Sequence, residues 1–369
     1  MKERVVVAMS GGVDSSVAAT LLQKEGYEVI GITMCFALAD SLRKKPTCCG
    51  IQAIEDSLRV CHKLGIRHYV LNMQKELEEY VIKDFCQEYL RGRTPNPCVR
   101  CNQYLKFGAL LKKAFSLDAK FLATGHYARI EKAQYSIRNT QYYLLKKAKD
   151  KLKDQSYFLY RLGQSQLKHI LFPLGNYTKA QVRGLAKKFA LPVADKLASQ
   201  EICFLPDADY RGFLIHRLAG ASKTKMGTDI KSGLIVDKQG NILGQHKGIA
   251  FYTIGQREGL GIAWGYPLYI THIDSKKNQI TMGTKEDALK KEFLVKEPHF
   301  ILKPIKKKVE VRARIRYNHK EALAEIMPAG NKIKVKFKKP QFAIAPGQSA
   351  VFYDRDTLVG GGIIHKVIG

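Results

Sequence analysis

The stretch Thr94-Pro-Asn-Pro-Cys-Val-Arg-Cys-Asn102 sets Cys98 and Cys101 three residues apart, just behind a Pro-Asn-Pro turn. That spacing suits four kinds of chemistry: zinc ligation, a dithiol redox pair, iron–sulfur ligation, or a catalytic thiol with a neighbour. A structural zinc site wants four Cys or His ligands, usually as two pairs, and the chain holds one such pair. A second stretch, Ser10-Gly-Gly-Val-Asp-Ser-Ser16, has the makings of a phosphate site. Two glycines let the backbone turn sharply and approach a ligand. The hydroxyls of Ser10, Ser15 and Ser16 add donors, and Asp14 can hold a metal ion that neutralises phosphates. The stretch lacks Gly-Lys-Ser/Thr and is not GxGxxG, which excludes the Walker and dinucleotide loops.

These residues need elements to position them. Arg4–Ala8 is a β-branched run ending at the Ser-Gly-Gly turn, and Val13–Glu25 has helical spacing stopped by Gly26. The loop therefore joins a strand to a helix N-terminus, where unpaired N–H groups and a partial positive charge favour phosphate. Glu28–Thr33, His68–Leu71 and Lys120–Ala123 read as further strands. Ile51–Leu64, Lys75–Leu90, Leu105–Phe115 and a helix capped by Thr178 and running to about Ala190 alternate with them. Such alternation predicts an α/β fold with a parallel sheet and helices on both faces. Beyond Phe204 the texture changes. Gly233–Gly248 reads as two short strands around Lys238–Asn241, and Gly255–Gly265 as a long loop. From about residue 284 strands dominate: Val309–Arg316, Lys332–Phe337, Ser349–Tyr353 and Gly361–Val367. Cations alternate with Val and Ile there, which predicts a small antiparallel barrel or sandwich with one apolar and one cationic face. The expected domains are 1–204, 205–283 and 284–369.

The chain has 369 residues, and 62 Lys plus Arg against 33 Asp plus Glu leave a charge of +29. A charge of that size serves solubility or binds a polyanion. The start carries no apolar stretch of signal-peptide length and no run approaches a membrane span, so the expectation is a cytoplasmic protein without membrane contact. All 8 cysteines precede residue 204, which is unlike a disulfide scaffold. Cys35, Cys61 and Cys86 fall in strand or helix patterns as packing thiols. Cys48 and Cys49, behind the basic loop Arg43–Lys45, read as structural or regulatory.

SGGVDSS resembles the signature of the ATP pyrophosphatases, which transfer AMP to a carbonyl-type oxygen that then leaves when a nucleophile arrives. Five further segments narrow the choice: Thr94–Asn102, Ala123-Thr-Gly-His-Tyr-Ala128, Lys153-Asp-Gln-Ser-Tyr-Phe158, Ser199-Gln-Glu-Ile-Cys-Phe204 and Pro346-Gly-Gln-Ser-Ala-Val-Phe-Tyr353. Together they resemble the tRNA-specific 2-thiouridylase family nearly end to end. The resemblance implies an adenylating α/β domain, a small central domain and a C-terminal β-barrel. It implies ATP-dependent replacement of the 2-oxygen of the wobble uridine (position 34) by sulfur, in tRNAs for Lys, Glu and Gln. The ATP site is then Ala8, Met9, Ser10, Gly11, Gly12, Val13, Asp14 and Ser15, with Met34 and Gly125. Cys101 takes the place of the nucleophilic thiol and Cys203 that of the persulfide carrier. Asn96, Pro97 and Cys98 lie where the target base is contacted. His126, Lys153, Asp154, Gln155, Arg316, Tyr317 and Gln348 match positions that touch tRNA. The implied partners are a tRNA anticodon stem-loop and a sulfur-relay or cysteine desulfurase donor protein; the implied cofactors are ATP and Mg2+.

The residues by themselves agree with adenylation. A uracil carbonyl is a poor electrophile with a poor leaving group, and transfer of AMP to its oxygen remedies both. A persulfide on Cys203 can then attack the ring carbon, and Cys101 can release the sulfur and leave a Cys101–Cys203 disulfide. Arg100 and Lys106 lie close enough in sequence to lower a thiol pKa. One position departs from the family, which commonly has Asp as general base where this chain has Cys98. Cys98, Cys101 and Cys203 can instead be read as three ligands of an iron–sulfur cluster with one open position. Another adenylating activity, such as that of lysidine synthetase, needs neither thiol.

Overall fold

The structure, a computed structural model, describes residues 2–36, 50–135, 140–197, 202–205, 209–220 and 230–368. Cys48, Cys49, the basic loop Arg43–Lys45 and Ser199 to Glu201 lie outside the described residues. The chain folds into two compact units. The first comprises Met1–Val81, Cys98–Tyr210 and Asp356–Leu358, and the second Ile82–Pro97, Arg211–Arg355 and Val359–Gly369.

The first unit is built on a parallel sheet. Its strands are β1 (Arg4–Met9), β2 (Glu28–Cys35), β3 (Arg67–Asn72), β4 (Phe121–Ala123) and, past an antiparallel hairpin β5 (Ala128–Tyr135) and β6 (Thr140–Lys147), β7 (Ile170–Leu171). The order β3-β2-β1-β4-β7 puts β1 at the centre. Val5, Val6 and Val7 are fully buried, as a central parallel strand covered on both faces requires. Helices α1 (Val13–Lys24) and α2 (Ile51–Leu64) follow β1 and β2. Val17, Ala18 and Leu22 of α1 pack with Val182 and Ala186 of the helix Lys179–Lys188 and with Val5 and Val7 in one core. The chain runs from β1 out through β2 and β3, then crosses to β4 on the other side. The carboxyl ends of β1 and β4 therefore border a topological switch point, where open α/β sheets receive ligands.

The second unit holds a four-stranded sheet and a barrel. The sheet has β8 (Gly233–Val236), β9 (Ile242–His246), β10 (Tyr269–Asp274) and β11 (Gln279–Gly283) in the order β10-β11-β8-β9. The two strands expected around Lys238–Asn241 are β8 and β9. The barrel has β12 (Leu289–Phe300), β13 (Val309–Arg314), β14 (Ala322–Ala329), β15 (Lys332–Phe342), β16 (Ser349–Asp354) and β17 (Thr357–Ile368). Their order is β12-β15-β14-β13-β16-β17, and β12 pairs antiparallel with β17 to close it. Phe293, Val311, Ile326, Val335, Phe337 and Phe352 fill the interior. Closure leaves the barrel no open sheet edge. The expected α/β fold with a C-terminal antiparallel barrel is what the chain adopts.

Candidate active site

The candidate phosphate loop sits at the carboxyl end of β1, at the switch point. Gly11 has φ +66, and a Cβ there would lie 2.5 Å from the Ala53 carbonyl oxygen, so both its backbone and its packing require glycine. Gly12 begins α1 in an extended conformation, and no side chain caps the helix. The hydroxyls fold back on the loop instead. Ser15 Oγ receives the Ser10 N–H at 3.2 Å and donates to the Gly12 carbonyl, as Ser16 does at 2.9 Å. From β4, Gly125 lies flat against the start of α1, where a Cβ would meet the Ser15 nitrogen at 2.8 Å. Met34, half-buried near the carboxyl end of β2, is at the same edge of the sheet.

Two lysines absent from the sequence reading complete the loop. Lys179 Nζ lies 2.6 and 2.7 Å from the two carboxylate oxygens of Asp14, and the Tyr127 hydroxyl donates to the same carboxylate at 2.8 Å. Burial, and next the Asp14 charge, push the Tyr127 phenol far up, so it stays a donor. Lys196 Nζ donates to the Gly11 carbonyl at 3.0 Å and pairs with Asp56. Burial works against ionisation of Asp56, but hydrogen bonds from Lys196, Arg59 and Gln52 outweigh it and hold the carboxyl below its usual value.

The thiols belong to the first unit, and none of the three is joined in a disulfide. Cys98 lies in a helical turn, Pro97–Arg100, that passes at Cys101 into ten residues of π-helix, Cys101–Leu110, and then α-helix to Phe115. A change of winding of this kind is common at functional sites. Cys101 is buried; Cys98 and Cys203 are half-buried. Asn102 fastens the helix by donating to the Phe158 carbonyl at 3.1 Å. Arg100 lies over the Tyr104 ring at 6.0 Å, and Tyr104 stacks on Tyr80. Cys61 and Cys86 are buried as expected of packing thiols, and burial pushes the Cys61 thiol up to about 12. Among the described residues no three His, Cys, Asp or Glu side chains gather as a metal site, Cys98, Cys101 and Cys203 included.

A family model described as tRNA methyl transferase HUP domain matches residues 3–207. Models described as tRNA methyl transferase PRC-barrel domain and aminomethyltransferase beta-barrel domain match 225–284 and 290–364. A Caldanaerobacter subterraneus protein named tRNA-specific 2-thiouridylase MnmA 1 is 50% identical over 373 residues, spanning 100% of this chain and 99% of its own. The chain belongs to the tRNA-specific 2-thiouridylase family. MnmA proteins of Clostridium acetobutylicum and Halothermothrix orenii are similar to it at 48% and 49% identity, each over 99% of this chain and over 100% and 99% of their own lengths.

Several positions matched above to tRNA contacts of the 2-thiouridylase family have their polar atoms turned inward. His126 is buried between Phe107 and Phe172, with Nδ1 2.6 Å from the Thr124 hydroxyl. Burial, with the Lys106 charge behind it, holds its pKa well below the ordinary imidazole value, so the ring is neutral. The buried Asp154 carboxylate accepts from the Ala148 N–H and from the Ser156 N–H and hydroxyl. Gln155 brackets Tyr127: its side chain accepts the Tyr127 N–H at 3.0 Å, and its own N–H donates to the Tyr127 carbonyl. Lys153, exposed, donates its N–H to Asp150.

In the second unit, Arg316 Nη2 donates to the Ile254 and Ala343 carbonyls at 2.6 and 3.0 Å, and the Tyr317 carbonyl accepts from Arg314. Gln348 Nε2 donates to the Thr94 and Pro95 carbonyls, both at 3.1 Å. The Thr94 N–H returns to the Pro346 carbonyl, and Arg93 joins buried Glu88 to the Ile364 and His365 carbonyls. The turn that carries Asn96 and Pro97 is thus clamped by the segment that opens β16.

Proposed function

We propose that the chain catalyses ATP-dependent 2-thiolation of the wobble uridine, position 34, in tRNAs for Lys, Glu and Gln. The observation that carries this reading is full-length identity of about one half to proteins named for it. The family models are described by methyl transfer and the relatives by thiolation, so the labels differ in the group moved. The residues favour sulfur: methyl transfer needs no thiol pair and no ATP-type loop.

In the proposed sequence, the uridine O2 attacks the α-phosphorus of ATP and expels pyrophosphate. The loop Ala8–Ser15, Gly125 and Met34 hold the nucleotide. The outer sulfur of a Cys203 persulfide attacks C2; the C2–O bond breaks and AMP leaves. The Cys101 thiolate then attacks Cys203 Sγ and releases the sulfur on C2, which leaves 2-thiouridine and a Cys101–Cys203 disulfide. A thiol reductant restores both cysteines, and a sulfur-relay or cysteine desulfurase partner recharges Cys203. Asn96, Pro97 and Cys98 border the base, and basic surface meets the anticodon stem-loop. The three-domain division 1–204, 205–283 and 284–369 belongs to the same proposal, with cytoplasmic location.

The test is reconstitution with tRNA, ATP and a persulfide donor, scoring 2-thiouridine and pyrophosphate separately. Cys101→Ala and Cys203→Ala should abolish 2-thiouridine while pyrophosphate release with tRNA persists. Wild-type protein that releases pyrophosphate with tRNA but forms no 2-thiouridine would favour a lysidine-synthetase type of adenylation and sink the thiolation reading.

A further inference from the structure

Asp14, the acidic residue of the phosphate loop, invites a metal ion, and the structure gives it a lysine. Both of its oxygens face Lys179 Nζ, and one also receives the Tyr127 hydroxyl. The ammonium is fixed from several directions. Thr178 caps the helix that Lys179 begins, and Gln181 completes a reciprocal capping pair. The Lys179 backbone N–H donates to Asp150 at 2.9 Å. Nζ lies 5.9 Å from the centre of the Tyr127 ring, and the Lys179 side chain is only 16% exposed.

Mg2+ takes oxygen ligands in near-octahedral geometry, often one or two carboxylates plus substrate phosphates. Asp14 already accepts three hydrogen bonds, two of them from an ammonium whose charge would repel Mg2+ at the same oxygens, and no cluster of acidic groups stands by among the described residues. An ammonium carries three donors. Two are directed at Asp14, which leaves the third for a phosphate oxygen beside the uncapped start of α1. Lys196, on the Gly11 carbonyl, supplies a second cation at the loop.

We propose that Lys179 is a pyrophosphate-binding cation of the ATP site, and that Asp14 is its positioning residue rather than a metal ligand. The inference rests on the reading that the chain binds ATP. It assigns the charge on the leaving pyrophosphate to a fixed side chain, and gives Tyr127 the task of holding Asp14 while Asp14 holds Lys179.

Calorimetry on the full chain with ATP, AMP and inorganic pyrophosphate, with and without Mg2+, tests this. Loss of one charge-assisted hydrogen bond should weaken ATP and pyrophosphate about 10- to 100-fold in Lys179→Met. AMP affinity should stay within about twofold, and Lys179→Arg should recover part of the loss. Because Lys179→Met strands the Asp14 charge, the pair Asp14→Asn with Lys179→Met is measured as well. It should remain weak for ATP, and Asp14→Asn alone should leave the Mg2+ concentration for half-maximal ATP binding unchanged. ATP binding restored to the wild-type level in the double variant would reduce Lys179 to a structural partner of Asp14 and overturn the inference. So would a raised Mg2+ requirement in Asp14→Asn. Wild-type protein that binds neither ATP nor pyrophosphate would overturn the ATP reading itself, which the variants leave standing.

Discussion

Replacing Gln348 by Met removes its two donors and keeps nearly the same shape. The Thr94 and Pro95 carbonyls each lose a 3.1 Å hydrogen bond. A neutral hydrogen bond contributes about 1 kcal/mol net, so the clamp on the turn loosens by about 2 kcal/mol. Gln348→Glu is harsher, because it sets carboxylate oxygens against two carbonyl oxygens; about 3 kcal/mol is expected there. The Thr94 N–H to Pro346 bond and the Arg93 bonds to Ile364 and His365 remain, so the unit should stay folded. If the turn carries the base-binding Asn96 and Pro97, the loss falls on the reacting geometry. Single-turnover thiolation should slow about 30-fold in Gln348→Met, which is that 2 kcal/mol as a rate. The Kd for tRNA should change less than about threefold at fixed salt, since one uncharged side chain turned to the backbone contributes little to a phosphate-dominated affinity. Hydrogen exchange over residues 92–97 should quicken in parallel. A tenfold weaker tRNA Kd with an unchanged single-turnover rate would refute the clamp and make Gln348 a direct tRNA contact.

Three further outcomes are expected. Cys98→Asp should retain 2-thiouridine formation under anaerobic conditions, since the family resemblance implies an Asp at that position; activity and bound iron lost together would favour the cluster reading. Binding of tRNA should fall steeply with salt, but the barrel's lysines start out partly neutralised: Lys334 and Lys336 share Glu292, Lys338 pairs with Glu310 and Lys308 with Glu325. Glu292→Gln should therefore tighten tRNA binding and steepen the salt slope, and an unchanged slope would place the RNA elsewhere. His126 has a folded pKa below its unfolded one, so the unfolded chain takes up the proton first, and its contribution to stability is complete above the unfolded value and declines as pH falls below it. Urea midpoints should therefore drop from about pH 7.5 to about pH 5.5, with less drop in His126→Asn; equal slopes in both proteins would mean that His126 is not the titrating group.

Local structure was legible in the sequence because its causes are local. A β-branched run, two glycines and an apolar run at helical spacing specify a strand–loop–helix unit within about 20 residues, whatever surrounds it. The same holds for α2, which runs over Ile51–Leu64 as the spacing predicts, and for the paired strands about Lys238–Asn241. The hairpin β5–β6 escaped notice because its alternation is blurred: in Ala128–Tyr135 the apolar residues Ala128, Ile130, Ala133 and Tyr135 break the period of two between Ile130 and Ala133, and the hairpin is only partly buried. What the tertiary structure alone decided is which polar atoms meet. Lys179 reaches Asp14 across 165 residues of chain, Lys196 reaches Gly11 across 185, and Gln348 reaches Thr94 across 254. No spacing rule spans such distances. A lysine at the start of a capped helix has the same sequence signature whether its ammonium faces water or a phosphate loop. Gln348, Arg316 and Gln155 show the converse, since the residue type offers polar atoms and the fold aims the donors of Gln348 and Arg316 at backbone carbonyls and the side-chain oxygen of Gln155 at the Tyr127 N–H. Side-chain direction depends on the packing of elements that are remote in sequence, and that packing exists only once the sheet and the barrel have formed.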